Sequence, residues 1–264
     1  MKKILITLLA AGMMLPVSAT FAQASTGTGA KAGASSTVRT ALITKAVDRA
    51  NQEITRRISA LNALSTRVNA MEKISADGKA ALETVIQSQI AAMNALQTKI
   101  ANDASANATS SLKTDIQSIT KSHRIFALII PVGALEAAAD RVMNVASAMT
   151  TVAGQLQAKI TAAQASSTNM SASVAALADM NAKITDATAQ ANAAVAGVAS
   201  LKPDNGVQSV MQSNLAAMKA ARAKIQAAQQ DLVAARKDVE TIMKALSAIT
   251  GSANASSTAS TTTP

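Results

Sequence analysis

Apolar residues recur along this chain at a spacing that pairs helices side by side. In segment 37–74, Ile43, Val47, Ala50, Ile54, Ile58, Leu61, Leu64, Val68 and Met71 follow one another at a mean step of about 3.5 residues. That period keeps one seam facing a partner helix, whereas a lone surface helix repeats at about 3.6. Segment 79–101 continues the theme with Leu82, Ile86, Ile90, Met93, Leu96 and Ile100. Segment 111–121 places Leu112, Ile116 and Ile119 on one face.

The second half is more regular. Over 131–164, Leu135, Val142, Met149, Leu156 and Ala163 stand seven apart and interleave with Ala139, Ala146, Ala153 and Ile160. A fifth segment, ending near Ser200, alternates Leu177, Ile184, Ala191 and Val198 with Met180, Ala187, Ala194 and Leu201. A sixth, 207–250, carries Met211, Met218, Ile225, Leu232, Val239 and Leu246 against Ala221, Ala228, Ala235, Ile242 and Ile249. Large residues in one series face alanine in the other, which lets helices approach closely.

Breaks fall where caps and turn formers cluster: 75–78, 102–110, 166–169 and Lys202-Pro203-Asp204-Asn205-Gly206. Short connections imply antiparallel neighbours. The pattern predicts an all-α fold, an elongated antiparallel up-and-down helical bundle with coiled-coil-like heptad packing. It reads as a single domain over 37–250, with two sub-bundles joined through the middle as the alternative.

That middle, 124–135, is the most apolar run after the leader and holds Phe126 beside the only histidine, His123. It is too short to span a bilayer, which takes ~20 apolar residues. Pro131 lacks an N–H and disfavours helix at Ile130, so the expectation is an extended or turning crossover that plugs the core, with Pro131 opening the next helix. A membrane-inserting tongue is the competing reading of the same run.

The ends read differently. Met1-Lys2-Lys3, the apolar run 4–15 and Ala22-Gln23-Ala24 have the form of a bacterial secretory signal. Residues 1–24 are therefore expected to be removed, and the product to be periplasmic or extracellular. Residues 25–36 read as a flexible spacer and 251–264 as a disordered Ser/Thr-rich tail. Without cysteine, disulfides and thiolate metal sites are excluded. The core must be held by apolar packing alone.

Candidate chemistry is sparse. A Ser–His pair needs an elbow to present the serine, and no Gly-x-Ser-x-Gly occurs. His123 reads as a boundary residue at a helix end. Glu136 and Asp140, four apart, are the beginning of a carboxylate pair but read better as a solvated face beside Arg141. Asp179 and Lys183 have the same spacing. The methionines lie on the seams as core filler. No catalytic residue, metal site or cofactor is expected, and the chain does not read as an enzyme.

Charge leaves one surface hypothesis. Without the leader the chain carries 23 basic and 15 acidic residues. The first and last helices hold most of the excess. Arg49, Arg56, Arg57 and Arg67 on the first, and Lys219, Arg222, Lys224, Arg236 and Lys237 on the last, are the candidate contacts for a polyanion or an anionic membrane surface. No aromatic is placed to stack on bases.

The run from Ile119 to Leu128 (Ile-Thr-Lys-Ser-His-Arg-Ile-Phe-Ala-Leu), followed by Ala138-Ala139-Asp140-Arg141-Val142, resembles a signature of uncharacterised, secreted, alanine-rich helical proteins of small-genome bacteria. The similar features extend from the first helix to about Lys237. Where such proteins often have an aromatic, this chain has His123. The resemblance implies the helical architecture and no catalytic residue. The leading expectation is a noncatalytic secreted scaffold or interaction protein of the envelope, working through helix faces by self-association or with a protein partner. The alternative is a basic binder of polyanions or membrane surfaces.

Overall fold

The computed structural model describes residues 32–106, 108–166 and 169–259. Five helices occur among them: α1 (Ala32–Asn69), α2 (Ala76–Ser105), α3 (Thr109–Ala165), α4 (Ser171–Ala199) and α5 (Gln208–Ala259). No strand is present among the described residues, and no described helix is long and apolar enough to cross a membrane. The contacts divide the chain after Leu42. Among the described residues the first unit holds the start of α1, and a bundle is built within residues 43–259. The leader 1–24, spacer residues 25–31 and tail residues 260–264 lie outside the described residues.

The fold is an all-α bundle, as the apolar spacing predicts. Connections are short, and side-chain pairs fix how the helices run. Lys183 on α4 reaches Asp238 on α5 at 3.2 Å, and Gln190 donates to Asp231 at 2.7 Å. Seven residues forward on α4 match seven back on α5, so the two are antiparallel. On the other side, Arg57 of α1 meets Ile119 of α3, Leu64 meets Gly133, and the turn after α1 meets Asp140. Those positions rise together, so α1 and α3 run parallel, with α2 returning between them.

Two buried clusters result. The smaller joins Ala50 and Ile54 of α1, Met93 and Ile100 of α2, and Leu112 and Ile119 of α3. The larger contains Leu61, Leu64 and Val68 of α1 and Ile86 of α2, together with Leu135, Leu156, Leu177, Ile225 and Ile242 from α3, α4 and α5. Two three-helix stretches therefore share α3, and one core runs through their junction. On α4 every member of the two predicted series through Val198 is buried. Ala139, Ala187, Ala191, Ala228 and Ala235 are fully enclosed, as expected where helices approach over methyl groups.

The middle of the chain departs from expectation. No crossover forms at 124–135: the expected third and fourth helices are one helix of 57 residues, about 85 Å long, with Pro131 inside it. Pro131 removes the donor that the Ala127 carbonyl would accept from, at a cost of about 3 kcal/mol in a helix interior. Ala127 is exposed, so water can take that role. Against that cost, Leu128, Ile129, Val132 and Leu135 are all buried around the proline. At roughly 1.5–3 kcal/mol for each buried side chain, packing outweighs the broken bond. Pro131→Ala should therefore stabilise the protein by about 1–2 kcal/mol, less than the full proline cost because the unfolded chain also gains freedom. A higher urea midpoint with an unchanged slope is the measurement; a lower midpoint would mean the pyrrolidine ring is itself a packing element.

The other boundaries shift by smaller steps. The expected loop 102–110 shrinks to the residues between Ser105 and Thr109. α1 starts at Ala32, inside the expected spacer, and α5 runs through Gly251 to Ala259, inside the expected tail. Alanine makes up only a minority of each extension, the rest being Gly, Ser, Asn and Thr, so intrinsic propensity does not explain them. The break at 202–206 forms as expected, but the first one lies earlier than 75–78. There α1 stops at Asn69, residues 70–75 make the turn, and 76–78 are already the first turn of α2. Ser75 caps α2 by accepting the Gly78 N–H at 3.1 Å. Asn205 (φ 48°) and Gly206 (φ 94°) make the left-handed turn before α5, and Asp204 accepts the Gly206 N–H at 2.8 Å.

Candidate functional surface

The polar groups inside the bundle hold it together. Asp140 is only 4% exposed. One of its carboxylate oxygens accepts three consecutive backbone N–H groups from the α1–α2 turn: Glu72 at 2.8 Å, Lys73 at 2.5 Å and Ile74 at 3.2 Å. Its other oxygen accepts from Asn144 at 3.1 Å. Lys73 donates to Ser147 and Lys79 to the Met71 carbonyl, tying the same turn down further. Glu136, one turn before Asp140, is 6% exposed, and its Oε2 has no hydrogen-bond partner. Burial pushes its carboxyl up to about 7. The solvated face expected for this pair is thus a buried one, because α3 is enclosed on two sides at the junction. Beside them Gly133 lets Leu64 in so closely that a Cβ would stand 2.5 Å from its Cδ1.

A second polar knot surrounds Phe126. Arg57 is 4% exposed, donates through Nε to Glu53 at 2.7 Å and through a terminal nitrogen to the Ile119 carbonyl at 2.6 Å. Arg56 binds the same carboxylate with two nitrogens at 2.8 Å. Both guanidiniums lie over the Phe126 ring, at 5.9 and 5.7 Å from its centre. The Arg56 hydrogen bonds, opposed by partial burial and assisted by Arg57, hold the Glu53 carboxyl down at about 2. The side chain of His123 lies outside the described residues.

Arg57 therefore leaves the set of candidate polyanion contacts. Its position follows from spacing: Ile54, Arg57, Leu61, Leu64 and Val68 step 3–4–3–4 along the core seam, while Ile58 sits at its edge. Arg57→Ala should cost about 2–3 kcal/mol, by stripping packing from Phe126 and a partner from Glu53, yet leave retention on heparin unchanged. Thermal melts and salt elution read the two effects separately; weakened retention in the folded variant would return Arg57 to the surface set.

The other eight candidates are exposed. Arg56 pairs with Glu53, and Arg236 with Glu240 at 3.6 Å. Arg49, Arg67, Lys219, Arg222, Lys224 and Lys237 make no ion pair among the described residues. The α5 bases are spread around the helix and interrupted by Asp231, Asp238 and Glu240. Lys224 lies two residues from Arg222, more than half a turn away around the helix.

Exposed apolar groups also gather on α5 and the loop before it. Val207, Met211 and Leu215 are four apart, with Leu215 55% exposed, while Met218 in the next turn is buried. Asn214, which follows the seam in this turn, is buried, so Val207, Met211 and Leu215 form an exposed apolar strip along the edge of the core seam. Among the described residues no group of three or more His, Cys, Asp or Glu side chains is placed to hold a metal ion. The Asp179–Lys183 pair forms, joined by Asp238. The chain matches no family model, no curated protein and no solved structure.

Proposed function

We propose that the protein is a noncatalytic interaction protein of the bacterial envelope, secreted to the periplasm or beyond, that works through helix faces. The observation that carries this reading is the exposed apolar strip Val207, Met211 and Leu215, which borders the core seam of α5. An exposed apolar strip beside a packing seam suits another helix, from a partner protein or a second copy. The sealed polar interior adds support: the buried carboxylate of Asp140 is used to fasten a turn and is closed to any substrate. Light scattering on a size-exclusion column, with crosslinking in envelope extracts, tests the reading. The expected result is a dimer or a captured partner that is lost in Met211→Gln/Leu215→Gln. A strict monomer with no captured partner removes it.

A second reading, a polyanion-binding protein, is favoured by the exposed bases without ion pairs on α1 and α5 among the described residues. Retention on heparin above physiological salt supports it. Elution below that salt removes it.

A further inference from the structure

The basic residues of α1 and α5 are not equivalent, and the difference selects a ligand. On α1, Lys45, Arg49, Arg56 and Arg67 are separated by 4, 7 and 11 residues. Each interval is close to a whole number of turns at 3.6 residues per turn, so the four side chains stand in one row. All four are exposed, and the row spans about 33 Å at 1.5 Å per residue. Lys45, Arg49 and Arg67 make no ion pair among the described residues. Glu53 is shared between Arg56 and the buried Arg57, so one carboxylate answers two guanidiniums. Asp48 is exposed but lies about a quarter turn off the row.

What lies between the bases narrows the partner. The exposed residues within the row, Gln52 and Ala63, are polar or small. Between Lys45 and Arg67 nothing on the row can insert into a bilayer, and no aromatic can read a base. The exposed Val38 and Leu42 precede Lys45 on α1, so vesicles are the probe that decides against a membrane surface. A straight row of cations, most of them guanidiniums that grip paired anionic oxygens, is complementary to repeated charge along a chain. We infer that the outer face of α1 is a docking track for an extended anionic polymer, gripped through its phosphate or sulfate groups along Lys45, Arg49, Arg56 and Arg67. This rests on the polyanion-binding reading and adds to it a location and a ligand shape. A chain covering the whole row binds; a short oligoanion, touching one or two bases, does not.

The test uses long-chain inorganic polyphosphate, tripolyphosphate and anionic phospholipid vesicles against the full chain, at several salt concentrations. Wild type should bind the long chain at least tenfold more tightly than tripolyphosphate at equal phosphate concentration. Lys45→Gln/Arg49→Gln/Arg67→Gln should weaken the long chain by about tenfold or more and lower the salt slope by about two. Lys219→Gln/Arg222→Gln/Lys224→Gln should stay within twofold of wild type. Circular dichroism should be the same for all three proteins, since every substituted side chain is exposed. Equal loss in the two triple variants would overturn the track while leaving the polyanion-binding reading intact, because the attraction would then be diffuse. Binding to vesicles without binding to the soluble chain would overturn the track as well. No binding to any probe would remove both.

Discussion

Asp140→Ala is expected to lower stability by about 3 kcal/mol, the largest loss from any single polar side chain in the bundle. One oxygen accepts three N–H groups of the α1–α2 turn, and the acceptor carries a charge. Hydrogen bonds to charged groups contribute about 1.5–3 kcal/mol each, and a buried donor left without a partner costs about 1–3 kcal/mol. The three bonds do not add in full. Glu72 and Lys73 are exposed, so their N–H groups can turn to water, whereas Ile74 is buried and its N–H cannot. The sum therefore sits near the cost of one orphaned donor plus a share of the other two. Asn144→Ala, which removes a single neutral donor from the other oxygen, should cost only about 1 kcal/mol. Urea midpoints rank the two variants. Amide exchange adds a local readout: protection at Glu72, Lys73 and Ile74 should fall in Asp140→Ala even under conditions where the fold persists. A loss below about 1 kcal/mol would mean the turn is held by Lys79 and the apolar contacts of Met71 and Ile74 instead.

The role of Asp140 marks where the sequence stops being legible. Heptad spacing alone places the α4 core, because α4 has one buried seam and alanine repeats along it. The cap at Ser75 and the turn at Asn205-Gly206 are equally plain, since capping and positive φ demand particular residues. The turn before Ser75, however, begins at residue 70, inside the expected first helix. The junction is harder for a physical reason. Between Leu128 and Met143, α3 is enclosed by both three-helix stretches and buries two seams at once. Leu128, Leu135 and Val142 lie on one. Ile129, Gly133, Glu136, Asp140 and Met143 lie on the other, at intervals of three and four residues. A pattern that expects acids to face water reads this second seam as surface. Ile129 and Met143 at either end are the available signal. Pro131 misleads in the same place, because the backbone preference of one residue takes no account of four buried neighbours that exist only after folding. Arg57 is the third case. A guanidinium fits a core position when a carboxylate, a carbonyl and an aromatic face all meet it, and only the carboxylate, at Glu53, is local in sequence. The basic row of α1 needs no tertiary information, since intervals of 4, 7 and 11 residues define a single face of any helix.

Stability should fall as pH rises from 4.5 to 7, and Glu136 is the reason. Burial raises its folded carboxyl to about 7, while the unfolded chain keeps the ordinary 4.5. Between those values the folded protein holds a proton that the unfolded chain has released. Raising the pH therefore favours unfolding across that window, and the full penalty is present above 7. The gap corresponds to about 3 kcal/mol at 1.36 kcal/mol per unit. Glu53 works in the opposite direction at lower pH. Its folded carboxyl is held at about 2, chiefly by Arg56, so the stability it contributes is complete above 4.5 and is lost as pH falls toward 2. Together the two carboxylates place the stability maximum in mildly acidic solution. Glu136→Gln keeps the shape of the neutral side chain and cannot ionise. At pH 8 it should be more stable than wild type by about 2–3 kcal/mol, and at pH 4 the two should agree within about 0.5 kcal/mol. Urea denaturation at pH 4, 6 and 8 measures both curves. A flat wild-type profile between pH 4.5 and 7, with no gain from Glu136→Gln at pH 8, would show that water reaches Oε2 and that the junction between the two three-helix stretches is open to solvent at this point.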